Sequence, residues 1–165
     1  MYTDRIKVCD YFYLDEFFPK DICDEEGINA MVRIDKRLPV IADRFRDIVG
    51  KPTWINNWIH GGDIDEAGWR SPLTTTGAKM SAHKQIWKLQ GVFYSIAQDY
   101  HVSKMSGQEL YHIIEFYAKE FYELGVRRME HYQLTPGWCH LDLKETGITG
   151  IQVVNLKSIA NIIKF

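Results

Sequence analysis

Apolar positions recur at helical spacing in two stretches of this chain and cluster at strand-like density in several others. Leu38, Ile41, Ala42, Phe45, Ile48 and Val49 follow three- and four-residue steps, which predicts one apolar stripe on a helix over residues 35–49. Pro39 is tolerated only in a first turn, so the regular part should begin near Leu38; Gly50 stops it and Pro52 follows. A longer helix is predicted over residues 106–124. Ser106 and Glu109 form a capping box, Leu110, Ile113, Ile114, Tyr117, Phe121 and Leu124 make the buried face, and Gly125 ends it. Residues 11–27 read as short helical pieces broken at Pro19 and Gly27. Residues 53–59, 126–130, 138–143 and 151–155 are short and rich in β-formers, and read as strands. Residues 63–81, with Gly68, Pro72, three successive Thr and Gly77, read as a long loop, a feature often tied to function. Residues 156–165 suit a terminal helix or a docking tail. Helices first, then strands mixed with one long helix, predict an α+β domain with a small antiparallel sheet packed with helices.

A length of 165 residues fits one domain, residues 1–165, large enough to fold without disulfide or metal. A hydrophobic share of 45% and a charged share of 25% exclude a disordered or collagen-like chain. A net charge of −2 gives nucleic-acid binding no support from the overall balance. Cys9, Cys23 and Cys139 make an odd, sparse set. With a charged, h-region-free start, they predict a protein made in a reducing cytoplasm without a signal peptide, its cysteines acting as small buried hydrophobes. No apolar run reaches the ~20 residues of a membrane span.

Two histidines stand out by context. His83 follows the long loop in Ser81-Ala82-His83-Lys84-Gln85. His140 lies in Trp138-Cys139-His140-Leu141-Asp142. On a strand, Trp138, His140 and Asp142 share one face while Cys139, Leu141 and Leu143 share the core face. A histidine beside a carboxylate suits a metal ligand with its orienting group, or a general base. His60, His101, His112 and His131 stand in no motif.

The chain resembles the Hedgehog and D-alanyl-D-alanine carboxypeptidase family of zinc peptidases, in particular its small phage-encoded members. The resemblance runs through Tyr13-Leu14-Asp15-Glu16-Phe17, Gly27-Ile28-Asn29, Ile55-Asn56-Asn57-Trp58, Gly68-Trp69-Arg70, Ser81-x-His83 and Trp138-Cys139-His140-Leu141-Asp142. It implies a Hedgehog/DD-peptidase-like fold. It also implies a zinc site with one open position for catalysis, an Arg70 that contacts substrate, and a carboxylate base. In the family the first motif reads Ser-x-His-x-x-Gly-x-Ala-x-Asp, its His and Asp being ligands and the later His the third. At that spacing Ile86 and Lys88 replace the small residues and Gln90 replaces the ligand Asp. Gly137 stands where several members carry an acidic residue, which leaves Glu130 and Asp142 as substitute bases. A neutral amide is a poor zinc donor.

These departures predict a non-catalytic protein of the peptidase fold without bound zinc. Its expected role is a structural or binding component that contacts other proteins, in a phage virion or tail. The alternative is an active zinc-dependent peptidase on peptidoglycan peptides, a D-Ala-D-Ala carboxypeptidase or a wall-peptide endopeptidase. It would use His83 and His140 as ligands, Arg70 at the substrate and Glu130 or Asp142 as base. A plain interaction module with chance motif matches is the third class.

Overall fold

The computed structural model describes residues 4–89, 91–155 and 158–165. Two short helices, α1 (Leu14–Phe17) and α2 (Lys20–Glu26), open the chain, separated at Pro19 and ended at Gly27. Helix α3 (Arg37–Val49) ends at Gly50 in the left-handed conformation. It buries Leu38, Ile41, Ala42 and Phe45 of the predicted stripe, while Ile48 and Val49 in its last turn are only half-buried against the core. The capping box is present: Ser106 accepts from the Glu109 amide, and the Glu109 carboxylate accepts from the Ser106 amide. The single helix expected after it is two, α4 (Gly107–Phe116) and α5 (Ala118–Leu124), because Tyr117 leaves helical geometry.

Among the described residues eight strands follow the early helices: β1 (Thr53–Trp54), β2 (Trp87–Leu89), β3 (Val92–Tyr94), β4 (Ala97–Val102), β5 (Arg128–Glu130), β6 (Cys139–Asp142), β7 (Ile151–Asn155) and β8 (Ser158–Ile163). Six form one sheet in the order β1-β4-β6-β5-β7-β8, while β2 and β3 form a separate hairpin. The sheet is mixed rather than purely antiparallel, because β5 and β7 run parallel. The α+β class stands. The strand expected over residues 53–59 stops after Trp54. Asn56 and Asn57 instead accept the amides of Ala67 and Ile64, which turns the chain toward the long loop. Of the two expectations for the C-terminal stretch, the helix is not found: β8 docks on the body by pairing antiparallel with β7, with residues 156–157 outside the described range.

Strand alternation divides the sheet into two faces. Tyr100, Met129, Cys139, Leu141, Ile151 and Val153 are buried in the core. Phe45 of α3 stacks on Tyr100 at 4.5 Å between ring centroids and also meets Phe121 of α5. The alternate residues of the same strands, Asp99, Arg128, Glu130, His140 and Asp142, line a cavity on the other face. Register sets Asp99 opposite His140 and Arg128 opposite Asp142. Ala97 lies opposite Asp142. Among the described residues no helix is long and apolar enough to cross a membrane.

Candidate metal centre

His83 reaches the cavity from the long loop, which is stitched to the body at several points. The Trp69 amide donates to the Phe17 carbonyl, and the Asp99 amide to that of Ala67. The Ile96 amide donates to Ala82, and the Arg70 amide to His83 itself. Gly68 is required at the closest approach, since a Cβ there would lie 2.4 Å from the Phe17 carbonyl oxygen. The Gly68 carbonyl in turn lies 2.8 Å from His83 Nδ1. A carbonyl only accepts, so Nδ1 carries the hydrogen, and Nε2 of the neutral ring presents its lone pair inward.

His83 Nε2 faces His140 Nδ1 at 3.1 Å and Asp99 Oδ1 at 3.3 Å, and His140 Nδ1 lies 2.7 Å from Asp99 Oδ1. His140 Nε2 lies 3.3 Å from Asp142 Oδ2, so that nitrogen donates to the carboxylate. With both imidazoles neutral, three acceptors converge on one point inside the protein. Such a point requires a positive charge, either a proton or a metal ion. Donor atoms of His83, Asp99 and His140 all lie within 4.8 Å of one another, and all three residues are buried. Two imidazoles and a carboxylate are a donor set that zinc takes in three-ligand sites. Both rings also have the outer hydrogen bond that orients metal-ligating histidines, to a carbonyl for His83 and to a carboxylate for His140. The residues fit the ion.

Without an ion a proton takes its place. Burial opposes a charged His140, but hydrogen bonds to Asp142 and Asp99 and the charges of both outweigh it and raise the ring to about 10. Burial would push Asp99 up, yet the charges of His83 and His140 and their hydrogen bonds hold it well below the usual carboxylate range. Asp142 behaves alike: burial is outweighed by hydrogen bonds from His140 and Arg128, which hold it at about 2. It accepts from His140, from two nitrogens of Arg128 and from the Lys144 amide. A carboxylate so occupied is not free to take a proton from water.

The cavity has a volume of about 390 Å³. Arg70 enters it with Nη2 3.3 Å from Asp99 and Nε on the Glu66 carbonyl. Glu130 lines it and forms no ion pair among the described residues. A second cavity of about 340 Å³ shares Arg70, Asp99 and Trp138 with the first, so the groove continues past the cluster. His101 and Trp138 line it with their rings against each other, and Trp54 stacks on His101 from the neighbouring strand.

The structure thus brings together His83, His140, Arg70, Glu130 and Asp142, the residues nominated by sequence. Gln90 lies outside the described residues. Asp99 and Arg128 were missed. Asp99 falls nine positions after Gln90, with β2 and β3 lying between His83 and Asp99. Past that hairpin, Ser95-Ile96-Ala97-Gln98-Asp99 has a small-x-Ala-x-Asp spacing, and this was the signal available. Arg128 had a fainter one, its place two residues before Glu130 on the same strand face. No family model, no curated protein and no solved structure matches this chain, so its functional reading rests on this geometry and on the motif resemblance.

Proposed function

We propose that the chain is a divalent-metal peptidase, zinc being the ion its donors suit best, and that peptidoglycan peptides are its substrates. The observation that carries this reading is the convergence of His83 Nε2, His140 Nδ1 and Asp99 Oδ1 in a buried cleft. It removes the main reason for expecting an inactive relative, since Asp99 supplies the carboxylate that counting had set at Gln90. The resemblance to Hedgehog and D-alanyl-D-alanine carboxypeptidase-type enzymes supplies the substrate class.

Under this reading His83, Asp99 and His140 hold the ion. When bound, it supplies Lewis acidity toward the scissile carbonyl and toward water. Arg70, tied to Asp99 at the cleft wall, places a fixed positive charge where an oxyanion develops. Glu130 is the available proton acceptor, because Asp142 is fully engaged. Arg70 and Arg128 are each already paired with a carboxylate, and the groove runs on past the cluster. Both features suit a peptide extending beyond the cut bond better than one held by its terminal carboxylate.

The non-catalytic reading, a structural or protein-binding part of a phage particle, retains one supporting observation: Gly137 is exposed and carries no acid beside His140. Zinc stoichiometry by elemental mass spectrometry, with mass-spectrometric analysis of purified peptidoglycan after digestion, separates the two. One zinc per chain and peptide cleavage lost on chelation are expected. A metal-free protein, or a zinc-loaded one that leaves the wall peptides intact, overturns the peptidase reading.

A further inference from the structure

Arg128 touches none of the three converging donor atoms, yet it is built into their support. It stands on β5 directly opposite Asp142 on β6, so sheet register fixes its place. Its Nε lies 3.0 and 3.1 Å from the two Asp142 oxygens and its Nη2 2.6 Å from Oδ2. The Lys144 amide donates to Oδ1 at 2.9 Å, and His140 Nε2 reaches Oδ2 at 3.3 Å. Asp142 is 1% exposed.

We propose that Arg128 is a positioning residue for the metal centre, clamping the Asp142 carboxylate so that it holds His140 with Nδ1 toward the ion. This rests on the metal reading of the cluster and adds to it a residue outside the ligand set. The physical argument concerns orientation. His140 has a carboxylate at each ring nitrogen, Asp99 at Nδ1 and Asp142 at Nε2. Ligation through Nδ1 requires the ring hydrogen to stay on Nε2 and the ring plane to stay fixed. The contact that does this is a single, rather long one to Oδ2, so it depends on the carboxylate plane. A guanidinium fork fixes that plane, whereas one backbone amide on the other oxygen leaves it free to turn. Ligand orientation by such outer partners typically changes metal affinity ~10–100-fold.

The test measures zinc affinity by chelator competition, together with long-range proton–nitrogen NMR of the His140 ring in the zinc-loaded protein. The wild type should show Nδ1 ligation and a slowly exchanging Nε2 hydrogen. Arg128→Gln and Asp142→Asn should each weaken zinc ~10–100-fold and speed exchange of that hydrogen. The double variant should be no worse than the weaker single, because the two act as one unit. Arg128→Lys restores the charge without the fork and should recover only part of the affinity. Arg128→Gln that binds zinc within threefold of wild type, with the His140 signals unchanged, overturns the proposal. So do single losses that multiply in the double variant. Should Arg128→Gln fail to fold, full wild-type affinity in Arg128→Lys overturns it alone. Failure of the metal reading looks different: the wild type itself then holds no zinc.

Discussion

At Asp99 two large effects oppose each other. Burial disfavours its charge, and two imidazoles beside it favour the charge and win. Asp99→Asn keeps the shape and removes the charge, so zinc affinity measured by chelator competition should fall by at least ~100-fold. Gln90→Ala should leave it unchanged. His140, raised to about 10 in the metal-free state, must give up a proton to accept an ion. Calorimetry at pH 7 in buffers of different ionisation heat should therefore report release of about one proton per zinc. Glu16 makes an independent residue-level case. Burial raises it to about 7, against an opposing backbone hydrogen bond from Tyr13. The folded state then binds a proton that the unfolded chain has lost between about pH 4.5 and 7. Stability should fall across that window by about 3 kcal/mol and stay flat above it. Glu16→Gln keeps an acceptor for the Tyr13 amide and should remove this slope in denaturant titrations, leaving the variant the more stable protein at pH 8.

At the scale of elements, the long loop is held as firmly as a strand where it approaches α1. Gly68→Ala would drive a methyl group into the Phe17 carbonyl and shift the carbonyl that orients His83. A loss of roughly 1–3 kcal/mol in denaturant unfolding is expected, together with weaker zinc binding. This loop also marks the limit of what the sequence made legible. Helix α3 and the start of α4 were readable because their apolar spacing and end signals agree. Strand β4 was not: Asp99 and His101 face the groove and Gln98 faces inward, so its polar residues break any simple alternation. The site was readable at Ser81-x-His83 and His140-x-Asp142, where ligand and neighbour are close in sequence. It was harder to read at Asp99, which is separated from His83 by the β2–β3 hairpin and carried only the small-x-Ala-x-Asp spacing as a signal.

For the whole molecule, the cluster joins the long loop, β4 and β6, three parts that come together only when the sheet is formed. The unfolded chain has no comparable set of donors, so an ion that binds the native state stabilises it by mass action. At a hundredfold excess over its dissociation constant zinc should add about 2.7 kcal/mol, a rise in Tm of roughly 5–10 °C for a chain of this size. Scanning calorimetry before and after chelation checks this.

The separations between the donors have a kinetic meaning as well. His83 and His140 stand 57 positions apart, and Asp99 and His140 stand 41 apart. An ion gripping all three would act as a reversible cross-link, tying together stretches of chain that must separate before the sheet can open. Escape from the native state would then wait on release of the ion. A protease attacking the loaded protein would meet a slower clock than one attacking the stripped protein, and removing the metal would expose the chain to digestion before any change in its shape could be seen.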